Sequence, residues 1–321
     1  MSKWVGRRGS FGAAKEASRG VGLTPTFWLP RSSSSFADKF NTAREEEGLG
    51  KIADSDANFV TGAYAEGEVV SNLDDKILGI ILTSLNGASP VTTGANPYTH
   101  TYTLSQTNQP QSIAVGWVDP DYSKMYTNCV GDSLKMSIGL NSLVEFTVGL
   151  KSKVGEDWVT LTPVYTAQGN KFLHQHLIFK LATNIAGLAA ATPIALKSLE
   201  ITMSRNADFD WSLGTVEPDD ILSKQFSVEG TIELNKTDDV YRALALNGTY
   251  NAMDISLTRV AASSNWQLQF PRVDFTEWEP DYSLNEIAKQ TLQFKANYDA
   301  VNALDIISTN ILKNTFVGTG Y

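Results

Sequence analysis

Short motifs recur in the same order in the two halves of this 321-residue chain, and this repetition constrains the fold more than any other feature. The spacing between the copies falls slowly, from 164 residues for the first motif to 158 for the last. Such a repeat predicts two similar folded units, although biased composition in a β-rich chain would also produce matches. The matched segments are Leu49-Gly50 and Leu213-Gly214, Glu66-Gly67 and Glu229-Gly230, Leu85-Asn86-Gly87 and Leu246-Asn247-Gly248, Pro120-Asp121-Tyr122-Ser123 and Pro280-Asp281-Tyr282-Ser283, and Leu134-Lys135-Met136 and Leu292-Gln293-Phe294.

The spacing of apolar residues predicts mostly β structure. Apolar and polar side chains alternate along residues 226–234, and the same alternation occurs along residues 134–140, 146–150 and 292–298. A period of two gives a strand with one apolar face and one polar face. We therefore predict a mainly β chain in which each half is a β-sandwich or partial barrel with one flanking α-helix, formed by tandem duplication of a domain.

One helix is expected in each half, because capping residues bracket an apolar run. Asn72 or Asp74 opens the first helix, and Asn86-Gly87 closes it. Thr237 is the expected N-cap of the second helix, and Asn247-Gly248 ends it. Short polar side chains satisfy the first backbone N–H groups of a helix, and glycine adopts the left-handed conformation that commonly ends one.

Charge is distributed unevenly along the chain. The whole sequence has 26 Lys and Arg against 35 Asp and Glu, a net charge of −9, yet residues 1–31 carry +5 and the remainder carries −14. We divide the chain into an N-terminal arm at 1–31, a first domain at 32–168, a linker at 169–196 and a second domain at 197–321. The basic arm is either a flexible tail or a segment that docks on an acidic neighbour.

Composition excludes several classes of protein. The acidic balance argues against an ordinary DNA- or membrane-binding protein, which needs a basic surface. Cys129 is the one cysteine, so no disulfide can form within the chain. Residues 1–20 contain no apolar signal segment, and Pro193 interrupts the most apolar stretch, so we expect neither a secretory leader nor a membrane span.

The sequence offers no convincing catalytic or metal site. His174 and His176 have the spacing of two ligands on one strand face, but a third ligand is missing unless His100 supplies it; two polar residues on an exposed loop explain the pair equally simply. Cys129 has no nucleophile signature and is expected to be a buried apolar residue. The seven tryptophans suggest either a carbohydrate platform or ordinary packing. We therefore expect a structural protein without enzymatic activity, cofactor or metal.

The sequence resembles the tail tube (major tail) protein family of long, non-contractile-tailed bacteriophages, or siphophages, over nearly its whole length. The resemblance begins with a Gly-x-Ala-Lys-Glu segment near the N-terminus and continues into both halves. The segments that carry it are residues 11–16 with Gly20, residues 24–30, 65–67, 85–87, 98–102, 197–201, Leu213-Gly214 with Pro218, residues 228–231 and residues 311–315.

The resemblance implies a structural virion protein that polymerises as stacked rings into a hollow tail tube, which conducts the genome during ejection. Most members of the family form rings of six chains, each supplying one tube domain. A duplicated chain implies three chains per ring in a pseudo-hexamer, with six as the alternative. The implied partners are other copies of the chain, the tape measure, tail terminator and distal tail proteins, and passing double-stranded DNA that is not specifically bound. The implied location is the virion tail, assembled in the host cytoplasm, with no membrane partner.

Two sets of residues follow from this resemblance as candidates. Four glutamates on strands with an apolar opposite face would either line the lumen, where they repel DNA phosphates, or face outer solvent. The basic arm and the polar loop at 44–62 are the candidates for stacking contacts between rings, and deleting residues 1–20 is expected to weaken polymerisation while leaving the fold intact. The lumen candidates are Glu66, Glu68, Glu229 and Glu233, and the stacking candidates are Lys3, Arg7, Arg8, Lys15, Arg19, Arg44, Glu45, Asp54 and Asp56.

Other classes share this composition. A phage decoration or baseplate protein would not polymerise into tubes, a carbohydrate-binding β-protein would bind glycans, and a hydrolase would show turnover. A related tube, such as that of type VI secretion, differs from a tail tube only by the resemblance.

Overall fold

The computed structural model describes residues 3–47, 50–52, 57–158, 161–165, 169–317 and 321, and it confirms the predicted mainly β fold. Its strands pair in antiparallel fashion. The elements of the first half are β1 (Ser10–Lys15), β2 (Phe27–Leu29), β3 (Arg31–Ser34), β4 (Ala37–Arg44), β5 (Asn58–Asn72), α1 (Ile77–Asn86), β6 (Val91–Thr93), β7 (Tyr98–Thr101), β8 (Ile113–Val118), β9 (Ser123–Ile138), β10 (Glu145–Ser152) and β11 (Glu156–Asp157).

The second half has fewer strands and two helices, one of them a single short turn. Its elements are β12 (Leu177–Ala182), α2 (Ile185–Leu188), β13 (Ser198–Ser204), β14 (Ala207–Asp210), β15 (Asp220–Ser223), β16 (Ser227–Asn235), α3 (Val240–Asn247), β17 (Asn251–Arg259), β18 (Ser264–Asp281), β19 (Lys289–Asn297) and β20 (Thr309–Asn314).

One sheet runs through both halves, and we call it the long sheet. Its strand order is β4–β5–β10–β9–β13–β16–β19–β18, with β3 beside β5 at the β4 end. The first four strands come from the first half and the last four from the second. The pairing of β9 with β13 therefore joins the two halves through backbone hydrogen bonds.

The longest strands, β9 and β18, also leave the long sheet to form a second layer. The first part of β9 pairs with β8, which pairs with β1, and the first part of β18 pairs with β17, which pairs with β12. Apolar side chains from both layers form one continuous core that spans the two halves. Burying this apolar surface is the main force that holds the layers together.

The two halves repeat one order of elements. Strands β5 and β16 each lead into a helix, and β8–β9–β10 corresponds to β17–β18–β19 in order and pairing. Each long strand carries one bulge at the same place. Asp132 has no partner in β10, where the register shifts, and Thr276 has none in β19. Bulges bend a strand, so both long strands turn from one layer to the other at these residues.

The structure corrects the later motif matches. Glu66-Gly67 and Glu229-Gly230 lie in corresponding strands, but Pro120-Asp121 lies in the β8–β9 turn whereas Pro280-Asp281 ends β18. The match of residues 134–136 with 292–294 likewise pairs β9 with β19, although β18 is its counterpart. The cause is an insertion: residues 87–112 separate α1 from β8, while only residues 248–250 separate α3 from β17. The true spacing therefore drops from 161 residues at the helix ends to 144 at the bulges.

The structure also moves the predicted segment boundaries. Much of the arm predicted at 1–31 is folded, because β1 pairs with both β2 and β8, and Phe11 and Trp28 are buried. The predicted linker at 169–196 contains β12, whose Phe179 is buried in the core against β17. Both segments are therefore parts of the fold, since their apolar side chains leave water only by packing on the neighbouring strands.

The helix ends follow the predicted chemistry with one change. The Asp74 carboxylate accepts hydrogen bonds from the N–H groups of Lys76 (2.9 Å) and Ile77 (3.3 Å) at the start of α1. At α3 the carboxylate of Asp238 accepts from Val240 N–H (3.1 Å), so Thr237 is not the capping residue. Both helices end at a left-handed glycine, with φ of 71° at Gly87 and 59° at Gly248.

Candidate assembly surfaces

The long sheet has one face in the core and one polar face, which we call the polar face. In β13, Leu199, Ile201 and Met203 are buried, while the side chains between them are partly exposed. The same alternation continues in the neighbouring strands. The charged residues at the exposed positions are Glu66 and Glu68 in β5, Glu145 and Lys151 in β10, Lys135 in β9, Glu200 in β13, Glu229 and Glu233 in β16, and Lys289 and Lys295 in β19.

The four glutamates predicted from sequence all lie on this polar face. Glu66 accepts from Lys39 Nζ (2.9 Å) and Glu233 lies 3.1 Å from Lys289 Nζ, whereas Glu68 and Glu229 are exposed. The hydrogen bond to Glu66 raises the pKa of Lys39, so this ammonium group stays charged. The structure thus brings the four residues together on one face, with two of them in ion pairs.

Sequence reasoning missed the lysines on the same face. Lys135 Nζ lies 2.8 Å from the carboxylate of Glu200, across the pairing of β9 with β13. The signal was present, because Lys135 stands between two apolar residues of an alternating strand. The polar face is therefore made of mixed acidic and basic rows with an acidic excess.

The β9–β13 pairing is the joint between the two halves. It runs from Ile138 opposite Leu199 to Ser133 opposite Ser204 without a register shift. The hairpin of β14 and β15 extends this joint, because it packs on the first half. There Phe209 contacts Tyr64, with ring centroids 4.8 Å apart.

Arg205 carries the joint onto the end of α1. Its guanidinium is buried and donates to the carbonyl oxygens of Leu85 and Asn86 (2.6 Å each) and to Ser223 Oγ (3.0 Å). Burial lowers the pKa of Arg205 to about 10, so it stays charged at neutral pH. A side chain of the second half therefore satisfies the last carbonyl groups of a first-half helix, which have no partner within the helix itself.

The N-terminal stacking candidates separate into two groups. Lys3, Arg7 and Arg8 are exposed in the segment that precedes β1. Lys15 instead donates to the backbone oxygen of Tyr321, and Arg19 donates to Asp220 and to Ile221 O (2.9 Å). These two cations have partners within the chain, and a deletion of residues 1–20 would remove β1 from the core.

Asp220 joins the N-terminal region to the second half. Burial alone would raise the pKa of Asp220, but hydrogen bonds from Asn128 and Arg19 outweigh it and hold the pKa below its usual value. The carboxylate therefore stays ionised and completes the contact between Arg19 and the β14–β15 hairpin.

The hairpin of β4 and β5 projects from the end of the long sheet. All of β4 is exposed, and so is the outer end of β5, including the aromatic rings of Phe40 (68% exposed) and Phe59 (56%). Arg44 lies at the end of β4, and Glu45 N–H donates to Ala57 O (3.0 Å) just beyond it. Asp54 and Asp56, the other predicted stacking residues of this loop, lie outside the described residues.

The remaining candidate chemistry has structural explanations. His174 and His176 lie in a short 3₁₀ turn, where His176 Nδ1 accepts from Leu173 N–H (3.1 Å). Cys129 is fully buried, which raises the pKa of its thiol. Across the described parts of the chain, no group of three or more His, Cys, Asp or Glu is placed to hold a metal ion, and no helix is long and apolar enough to cross a bilayer.

The fold and these surfaces define a mainly β structural subunit that presents both edges of one long sheet. A family model described as phage tail tube protein matches residues 6–300. The chain therefore belongs to the phage tail tube protein family, which gives it a structural role in the virion tail. The search of curated proteins gave no match.

Proposed function

We propose that this chain polymerises as stacked rings into the hollow tail tube of a siphophage, the conduit for the genome during ejection. The observation that carries the proposal is the long sheet, which crosses both halves, has one polar face and ends in strands that can pair further. A sheet with two such edges is completed when copies close into a ring, because closure leaves no edge strand exposed.

Three chains per ring fit this geometry best, and six remain the alternative. Each half contributes four strands to the long sheet in a corresponding order, so one chain supplies two similar sectors of a ring. Three chains then form a pseudo-hexamer. Head-to-tail contacts of one kind generate closed rings when the rotation between copies closes.

The polar face is the proposed lumen wall. Its acidic excess, with Glu68 and Glu229 exposed, repels phosphates, and its lysines are held close to carboxylates. A duplex therefore meets no continuous basic surface to which it could bind by releasing counterions. We propose no cofactor, metal, enzymatic activity or membrane partner for this role.

Contacts between rings are assigned to two exposed regions. One is the segment before β1 with Lys3, Arg7 and Arg8, and the other is the β4–β5 hairpin with Arg44 and Glu45. We also propose Asp54 and Asp56 for this loop on sequence grounds alone. The further partners are the tape measure, tail terminator and distal tail proteins, with assembly in the host cytoplasm.

Electron cryo-microscopy of the purified chain, with ring averaging, tests the proposal. We expect hollow tubes whose rings contain three chains and six similar sectors. Rings of six chains would overturn the stoichiometry and leave the tube function in place. Monomers alone, at high concentration, would contradict the tube and favour a decoration, baseplate or carbohydrate-binding protein.

A shorter deletion tests the stacking role of the N-terminus. Removing residues 1–8 leaves β1 and the buried Gly9 in place, so the fold is expected to be retained. We expect shorter tubes or single rings at the same protein concentration. Replacing Lys3, Arg7 and Arg8 with Gln is the matched control for charge, and unchanged tube length in both variants would contradict this role.

A further inference from the structure

The two ends of the long sheet leave strand edges without a partner strand among the described residues. At one end, β18 pairs with β19 along residues 272–281, but its pairing with β17 stops at Val273. At the other end, β3 and β4 pair with β5 on one side only. Residues 274–281 and residues 31–44 thus each present one open edge.

These open edges correspond to the two edges that are joined inside the chain. The bulges at Asp132 and Thr276 align β9 with β18 at a spacing of 144 residues. Glu66 and Glu229 align β5 with β16, and their partners, Ala37 in β4 and Thr202 in β13, align those strands at a spacing of 165. The open edge of β18 therefore matches the edge of β9 that pairs with β13, and the open edge at β3–β4 matches β13.

We propose that adjacent chains of the ring join by repeating the internal joint, with the open edge of β18 paired to residues 34–39 of the next chain. The register of the internal joint then fixes each pair. Glu277 lies opposite Lys39 of the next chain, Glu279 opposite Ala37, and Asp281 opposite Ser35. This inference rests on the proposed function, because it identifies the partner of each edge as a second copy of the chain.

The charges of the two edges are complementary. Glu277, Glu279 and Asp281 occupy one edge, and Lys39 stands on the polar face of the other. Directly opposed residues of opposite charge stabilise an antiparallel pair. Pro280 has no N–H group, so this joint contains at most one backbone hydrogen bond fewer than the internal one.

The hairpins give a second, independent match. Inside the chain, the β14–β15 hairpin reaches the end of α1, where Arg205 contacts the last carbonyl groups. The residue that corresponds to Arg205 in the first half is Phe40, which is 68% exposed, and the end of α3 exposes Leu246 at 69%. The same joint between chains would bring the β4–β5 hairpin onto the end of α3 and cover both apolar side chains.

Paired cysteines test the register in the full-length chain. Directly opposed strand residues have Cα atoms about 4.5–5.5 Å apart, within the range that a disulfide bridges. We expect the double variant Lys39→Cys, Glu277→Cys to form disulfides between chains after assembly and oxidation. On a non-reducing gel they should give a ladder that ends at three chains, and reduction should abolish it. Cys129 gives little background, because it is fully buried.

Two matched controls make the result decisive. Ser133→Cys with Ser204→Cys places the same pair in the internal joint, so we expect loss of free thiols without any ladder. Lys39→Cys with Asp281→Cys is out of register by four residues, about 13 Å, and should not cross-link. Cross-linking of this second pair in place of the first would overturn the proposed register.

Imaging the same samples separates the two proposals. Tubes or rings that form without cross-linking at Lys39 and Glu277 would overturn this joint while the proposed function stands. Failure of every variant and of the unmodified chain to assemble would overturn the proposed function, and this joint with it.

Discussion

Helices α1 and α3 follow corresponding strands and end in the same Asn-Gly, yet every residue of α1 is buried and no residue of α3 is. The difference lies in what covers them. Tyr102, in the insertion that follows α1, donates from its hydroxyl to Gly79 O (3.2 Å), and Arg205 of the second half covers the helix end. Helix α3 has neither the insertion nor a third half to cover it.

The sequences of the two helices reflect this difference. The α1 segment, ILGIILTSLN, has no charged residue, as expected of a helix buried on all sides, whereas Arg242 lies in α3. Tyr241 and Leu244 still pack on the core, so α3 is amphipathic. The comparison teaches that the repeat preserved the strand framework, while each helix adapted to its cover.

Truncating one leucine in each helix tests the comparison with the largest expected effect. Leu82→Ala in α1 should lower the free energy of unfolding by about 2–5 kcal/mol, because it leaves a cavity in a closed core. Leu246→Ala in α3 should change it by no more than about 0.5 kcal/mol. Urea unfolding of both variants, under conditions that prevent assembly, measures the difference. Equal losses would contradict the assignment of α3 as uncovered.

Removing the guanidinium at the end of α1 should have the next largest effect. Arg205→Ala leaves two buried carbonyl groups without donors, which should cost about 2–4 kcal/mol of unfolding free energy. Arg242→Ala in α3 is the matched control, because that guanidinium lies 5.8 Å from the Trp278 ring and should contribute about 1 kcal/mol or less. A larger loss in Arg242→Ala would reverse the comparison.

The insertion beside α1 should add a pH dependence that the second half lacks. His100 in β7 is buried, which lowers its pKa below the ordinary 6.5, and it bonds to Thr92 Oγ1 (2.9 Å) and Asn314 Oδ1 (3.0 Å). The unfolded chain therefore binds this proton more readily. The stability from His100 is complete above pH 6.5 and is lost as pH falls through the folded pKa.

Unfolding measured from pH 7.5 to 5 tests this dependence. We expect His100→Gln to remove part of the acid sensitivity, by at most about 1.4 kcal/mol per pH unit. An unchanged slope in the variant would show that other groups control this range.

The smallest expected effect concerns the ion pair across the internal joint. Lys135 and Glu200 are about half exposed, so a double-mutant cycle with Lys135→Ala and Glu200→Gln should give a coupling energy of about 1 kcal/mol or less. A coupling well above this value would mean that charge, rather than backbone pairing, fixes the joint between the halves.

Local patterns in the sequence were enough to predict the strands and both helix ends. Alternation also placed the four glutamates on one face, because the period of two depends only on neighbouring residues. The same signal was available for β12, where Leu177, Phe179 and Leu181 alternate, but the adjoining Ala- and Gly-rich stretch favoured a linker.

Other features had no local signal. The β1 strand lies between β2 and β8, and its Gly12 packs so closely on Pro25 and Trp28 that a Cβ atom would lie under 3 Å from both. Its small residues therefore resembled those of a flexible arm. The contact of Arg205 with α1 joins residues about 120 positions apart, which no short motif encodes.

The long strands β9 and β18 have a mechanical consequence. Each is one uninterrupted chain segment that runs from the long sheet, through its bulge, into the second layer. A load applied to the polar face is therefore transmitted to the outer layer along covalent bonds. The two layers can shear past one another only by breaking rows of backbone hydrogen bonds together, so the wall resists deformation as a unit.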